Sequence, residues 1–222
     1  MSTFGYAVFP LAVVAMLWHG PCAAAACLRG HCVPPPSVKP GDTWTYHRLD
    51  GWTRNLKEVY TERVTVVSPR RVTARVTISG TGRSVVLAMT DDLGLVAEGA
   101  LRFAPFWRLF PFPLTTGKAW RQDATLTDRG DPHVSLSMKT RGFVAGWETI
   151  SVPAGSFRAL RIETATAFLP QDPVEHIAVL FERRTVWYVP RIKQAVKVVT
   201  EDLLYGTPYS KKIDVLTAYR VH

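Results

Sequence analysis

A period of two dominates this chain from residue 38 onward, and it restricts the fold more than any other feature. Val72, Ala74, Val76 and Ile78 fall on one face of an extended segment, while Arg71, Thr73, Arg75 and Thr77 fall on the other. The pattern returns with Val134, Leu136 and Met138 against Ser135, Ser137, Lys139 and Arg141, and with Ile213, Val215 and Tyr219 near the C-terminus. Side chains alternate across a strand, so each run has one face on a core and one in water. Sheets with one wet face are usually antiparallel. Further strands are expected at 43–49, 59–67, 84–90, 93–101, 119–126, 143–152, 157–168, 185–189 and 195–204. Turn-forming clusters such as Ser68-Pro69, Gly80-Thr81-Gly82, Asp91-Asp92 and Pro153-Ala154-Gly155 separate them. Residues 172–184 fit a helical face through Val174, Ile177 and Phe181, or a strand through Ile177, Val179 and Phe181, and are assigned to a strand. The expected fold is all-β: a single curved antiparallel sheet or an open barrel, built as one domain over residues 38–222.

The first 37 residues follow another logic. Ala7 to Trp18 is apolar apart from Pro10, of secretory-signal length and short for a membrane span. His19-Gly20-Pro21 breaks it, and Ala24 and Ala26 supply the small residues that a signal peptidase needs, so residues 1–26 are assigned to a signal peptide. The segment Met1–Tyr6 lacks the usual Lys or Arg. Residues 27–37 form a linker rich in Cys and Pro. Cys27 and Cys32 are candidates for a disulfide in an oxidising compartment, or Cys27 for lipidation after a degenerate Ala-Ala-Ala-Cys lipobox. The expected location is the periplasm or cell envelope, with or without a lipid anchor on Cys27. No transmembrane span is expected in the mature chain.

The net charge is +9, and no Lys, Arg, Asp or Glu precedes Arg29, so the charge belongs to the mature part. It suits long-range attraction to anionic headgroups or acidic glycans, and equally a plain preference for Arg. The basic residues are spread along the chain, and nucleic acid is not expected as a partner. His47 near Asp50, His133 after Asp131-Pro132, and Glu175-His176 are isolated pairs; no H-E-x-x-H or C-x-x-C spacing occurs. Ser156 sits in Ala154-Gly155-Ser156-Phe157-Arg158, where Ala and Arg occupy the glycine positions of a nucleophile elbow. No catalytic residue, metal ligand or cofactor site is assigned.

One segment departs from the alternation. Residues 103–114, Phe-Ala-Pro-Phe-Trp-Arg-Leu-Phe-Pro-Phe-Pro-Leu, carry three prolines, which argue for a loop, and an apolar load that loops seldom expose. Either the segment plugs one end of the sheet, or Phe103, Phe106, Trp107, Phe110 and Phe112 contact a ligand or partner.

Val152-Pro153-Ala154-Gly155-Ser156-Phe157, followed by Val186-Trp187-Tyr188-Val189-Pro190, resembles the V-P-A-G-x-F hairpin and W-Y-x-P strand end of a group of exported bacterial β proteins known only as a domain of unknown function. Pro113-Leu114 and Gly117-Lys118-x-Trp120 fit its middle segment. Lys193 stands where members commonly have Gly. The resemblance implies an envelope location and a curved antiparallel sheet of the lipoprotein-carrier kind, and implies no reaction. Pro153 and Gly155 suit a tight strand-to-strand turn, and Trp187 and Tyr188 should face opposite sides of their strand.

The resulting expectation is a non-enzymatic exported envelope protein that binds an apolar or amphipathic ligand, such as a lipid, or an envelope protein partner. The alternatives are a structural adaptor in an envelope complex, and a hydrolase whose site is not visible in sequence.

Overall fold

The structure is a computed structural model and describes residues 32–171 and 180–222. Twelve antiparallel strands follow one another around a closed barrel. They are β1 (Thr43–Asp50), β2 (Leu56–Ser68), β3 (Arg71–Ile78), β4 (Ser84–Met89), β5 (Leu95–Glu98), β6 (Leu101–Trp107), β7 (Ala119–Asp128), β8 (Ser135–Val152), β9 (Gly155–Pro170), β10 (Leu180–Val189), β11 (Gln194–Leu204) and β12 (Thr207–Arg220). Each strand pairs with its neighbours in sequence, and β1 closes the ring on β12 through Thr43↔Arg220 to Asp50↔Lys212. The all-β antiparallel expectation holds, and the sheet is closed rather than open. Closure satisfies the backbone groups that edge strands would leave bare.

The alternation rule selects the interior correctly on β3 and β8 but not on β12. Val72 and Ala74 are buried while Arg71 and Arg75 are exposed, and Met138 is buried while Lys139 and Arg141 are exposed. On β12, Asp214 lines the lumen and Leu216 joins the core while Tyr219 is exposed, so the row of Ile213, Val215 and Tyr219 is the outer one. The boundaries differ in several places. The strands expected at 172–184 and 185–189 run together as β10 from Leu180, with residues 172–179 lying outside the described residues. The strand expected at 93–101 is two strands, because Gly99 takes a left-handed φ of 57° and turns the chain after Glu98. The runs at 134–141 and 143–152 form one strand of 18 residues. Gly142 does not break it; its missing side chain leaves room for the Trp120 indole, whose ring lies 2.1 Å from where a Cβ would stand. Finally, residues 103–107 are not loop but belong to β6. Pro105 is tolerated because the pairing of β6 with β7 ends at Ala104↔Thr125, and the register against β5 is broken beside it.

The motif residues behave as their chemistry requires. Gly155 takes φ 130° in the β8–β9 turn, and Tyr188 is fully buried while Trp187 points outward, its indole N–H donating to Glu148. Lys193 adopts φ 62°, the left-handed conformation for which Gly is favoured. Its ammonium compensates by reaching the carboxylate of Asp42 at 3.1 Å and the carbonyl of His222 at 2.7 Å. Asp42 is fully buried and also accepts from the backbone N–H groups of Lys39 and His222, so one carboxylate ties the β1 entry, the β10–β11 turn and the C-terminus. Burial opposes its charge, but these hydrogen bonds outweigh that and hold its pKa below the usual value. Gly41-Asp42-Thr43-Trp44 and Gly117-Lys118-Ala119-Trp120 lead into β1 and β7 in the same way, with Gly41 and Gly117 both at positive φ.

Candidate functional site

A ring of about eight strands is just filled by its own side chains; twelve leave a wider lumen. Segment 103–114 fills one end of it. Phe103, Trp107, Phe110, Phe112 and Leu114 are all buried in the main core. Phe110 and Phe112 pack on the Tyr188 ring at centroid distances of 5.1 and 5.5 Å, and Trp107 meets Phe168 edge-on at 6.2 Å. The segment's backbone is held as firmly as its rings. Gln122 on β7 accepts from the Arg108 N–H at 2.7 Å and donates to the Phe106 carbonyl at 2.5 Å. Lys118 donates to the carbonyls of Pro111 and Pro113, and Val33 forms a two-way backbone bridge with Leu114. The linker expected at 27–37 is therefore pinned to the barrel at the buried Val33, while Pro34, Pro35 and Ser37 stay exposed before the chain is buried again at Val38.

Above this floor the barrel retains a cavity of about 450 Å³, with Trp107, Leu109 and Phe110 at its base. Its lining reaches Ile78, Val85 and the exposed Glu98, beside the β3–β4 and β5–β6 turns, which mark the mouth. The two sides of the cavity differ in chemistry. Strands β3 to β5 contribute Val76, Ile78, Val85, Leu87, Met89 and Leu95, an almost wholly apolar wall. The wall opposite, from β10 to β12 and on to β1 and β2, carries Glu182, Arg184, Lys212, Asp214, Arg48, Glu58 and Glu62.

The charged wall is organised by register. Arg48 lies directly across from Asp214 on β12 and from Glu58 on β2. It forks onto Asp214 with bonds of 2.8 and 3.1 Å and reaches Glu58 at 3.1 Å. Burial opposes the guanidinium charge, but the bonds to Asp214 more than offset it, so its pKa is raised. The guanidinium also lies 4.9 Å over the Tyr60 ring, which stacks on Tyr46 at 5.2 Å. Tyr46 donates its hydroxyl to the Ala195 carbonyl at 2.6 Å. On β10, Arg184 and Glu182 pair at 2.8 Å, and Arg184 lies 4.9 Å over Trp107. Glu182 Oε1 and Arg184 Nε are buried without a hydrogen-bond partner among the described residues.

Glu62 differs from the other carboxylates of this wall. Its neighbour is the Gln194 amide at 3.5 Å, and no cation among the described residues lies within ion-pair distance of it. Burial, reinforced by the nearby charge of Glu98, pushes its pKa up to about 7. It is thus a carboxyl that changes charge near neutral pH inside the lumen.

Of the aromatic residues singled out from sequence, Trp107 and Phe110 line the cavity, Phe103 and Phe112 pack in the core around it, and Phe106 is half-buried under the Arg108 guanidinium. Plug and pocket wall are therefore the same object. Cys32 is disulfide-bonded. Cys27, the expected cleavage site, and the Glu175-His176 pair lie outside the described residues. The charged wall was not foreseen. Its only sequence signal is that Arg48 continues the inward row of Trp44 and Tyr46, and that Glu58 and Glu62 share a row with the buried Val64.

No protein-family model matches the chain, and no curated protein matches it. The fold is nonetheless found among solved structures. A provisionally assigned lipoprotein from Parabacteroides distasonis superimposes with a TM-score of 0.55 at 15% identity, over 85% of this chain and 99% of that one. A provisionally assigned exported protein with a YmcC-like fold from Bacteroides fragilis gives 0.53 at 15% identity, over 85% and 100%. The hypothetical lipoprotein YmcC from Escherichia coli gives 0.46 at 10% identity, over 81% and 85%. At these identities the likeness is one of fold.

Proposed function

We propose that this chain is an exported envelope protein that holds one amphipathic ligand inside its barrel without transforming it. The carrying observation is a cavity of about 450 Å³ with an apolar wall on β3–β5 facing a charged wall on β10–β12, β1 and β2. That volume lies within the roughly 300–1,000 Å³ of small-molecule sites. The apolar part of the ligand lies against Val76, Leu87 and Leu95, and its polar part faces Glu62 and the Arg48–Asp214 pair. Exported, lipoprotein-like neighbours of the same fold and the apolar, Ala-rich N-terminus support the location. Outward rows such as Arg71, Thr73, Arg75 and Thr77 put charge at mid-strand, the reverse of the apolar-out rows of a membrane-spanning barrel.

Native mass spectrometry of protein gently extracted from the envelope of a producing bacterium tests the reading. Wild type should carry a non-covalent organic mass, one per barrel, that leaves on denaturation. A lipid on Cys27 would remain. In Val198→Trp, which fills the lumen, the adduct should vanish. Bare wild-type protein, or an unchanged adduct in Val198→Trp, contradicts the proposal.

A further inference from the structure

The hairpins β1–β2 and β11–β12 are neighbours at the mouth end of the barrel. The Gly51 N–H donates to the Lys211 carbonyl at 2.8 Å and joins them. Five large hydrophobic side chains among the described residues are more than half exposed, and four of them stand on these two hairpins: Trp52 at 56%, Leu56 at 53%, Tyr205 at 72% and Tyr209 at 52%. The fifth, Val66, lies towards the other end of β2. The turn that presents Trp52 is held by Asp50, which accepts from the backbone N–H groups of Trp52 and Thr53 at 3.0 and 2.9 Å.

Charge accompanies them. Arg54 sits between Trp52 and Leu56, and Arg83 and Arg129 occupy the β3–β4 and β7–β8 turns of the same end. Among the described turn residues there, Asp131 is the one carboxylate. Trp and Tyr combine an apolar body with a polar edge and are favoured where hydrocarbon meets headgroups. Arginine beside them can keep its charge at phosphate level while its stem lies in the apolar layer.

We infer that the mouth end docks on an anionic phospholipid surface, with Trp52, Leu56, Tyr205 and Tyr209 entering the headgroup layer and Arg54 meeting lipid phosphates. A bilayer fits this patch better than a protein does. A stable protein partner needs roughly 800 Å² of complementary surface on each side, whereas the patch consists of two convex hairpin tips. Docking in this pose places the opening beside Ile78, Val85 and Glu98 against the bilayer. The inference rests on the rim alone and stands whether or not the cavity is filled.

Processed protein from the envelope is mixed with phosphatidylcholine vesicles with or without phosphatidylglycerol and sedimented, all variants in the same form. Wild type should bind the phosphatidylglycerol vesicles more tightly than phosphatidylcholine alone. Trp52→Ser/Tyr205→Ser should weaken that binding about tenfold, because surface binding scales with inserted apolar area. Arg54→Gln should weaken it about fivefold, the effect of one basic residue near an anionic surface. Val66→Ser should bind like wild type, and circular dichroism should show the same β signature in all. Wild type that stays in the supernatant, a double variant that binds unchanged, or a Val66→Ser variant that loses as much would each overturn the inference. So would vesicle-independent self-association, seen by light scattering, that the rim substitutions abolish.

Discussion

The two walls of the cavity are built from strands with the same inward alternation, yet they stay folded for different reasons. On β3–β5 the inward row is aliphatic, and its contribution is area removed from water together with close packing over the Trp107 and Phe110 floor. On β1, β2 and β12 the row is charged, and it is tolerated only because register sets Arg48 directly opposite Asp214 and Glu58. A buried pair adds little net stability relative to apolar residues, but losing one member is costly. The first wall is therefore robust to conservative change and sensitive to truncation. The second is poor in net stability and sensitive to any unmatched charge. That contrast is what a lumen needs if it is to offer an amphipathic ligand both of its surroundings.

The largest expected effect breaks the floor beneath the apolar wall. Trp107→Ala removes a buried indole that packs on Phe103 and Phe168, and denaturant unfolding should show a loss of about 3–5 kcal/mol. A loss below about 1 kcal/mol would mean that the segment lies on the barrel and does not complete its core. Next is the charged wall. Arg48→Met leaves Asp214 and Glu58 facing one another across β1 and should cost about 2–3 kcal/mol, less than a fully buried pair because Arg48 is one-third exposed. Adding Asp214→Leu should recover most of that loss by the same assay. If the double variant is no better than the single, the pair contributes net stability and the contrast between the walls is wrong.

The smallest effect sharpens the contrast through pH. Glu62 has a folded-state pKa of about 7, above the roughly 4.3 of an unfolded Glu. The folded state therefore holds more protons between those values, and stability is greatest at the acid end and falls as pH rises towards 7. Because Glu62 lines an open cavity, the loss should be about 1–2 kcal/mol rather than the full linkage value. Glu62→Gln should flatten this part of the pH profile and be the more stable protein at pH 8. A profile unchanged by the substitution would remove Glu62 from the account.

The apolar wall was legible in the sequence because its alternation is clean: Val72, Ala74, Val76 and Ile78 leave one choice of face. The same rule failed on the charged wall, since a Glu or Arg in an alternating row is normally assigned to water. Only the pairing of β1 with its neighbour β2 and with β12, at the far end of the chain, brings Arg48 onto Glu58 and Asp214. Segment 103–114 was half legible. Its hydrophobicity announced burial, but the prolines argued against the strand that occupies its first half, because nothing local reveals that β6 loses its partner at Ala104. The choice between plug and ligand contact had no sequence answer, since only the folded ring shows that Trp107 and Phe110 are buried in the core and also line the cavity. Strand spacing could not show that the ring closes, which depends on β1 meeting β12 across nearly the whole described chain.

The central claim is that the lumen holds an amphipathic molecule with its apolar part on the β3–β5 wall. The most direct measurement is anomalous diffraction from crystals grown with a lysophosphatidylcholine whose tail carries bromine. The account predicts a bromine peak inside the barrel, between Leu87 and Val198 and above Trp107, and no such peak in crystals of Val198→Trp. Bromine found only on the outer surface, in crystals whose lumen is open to solvent, would contradict it.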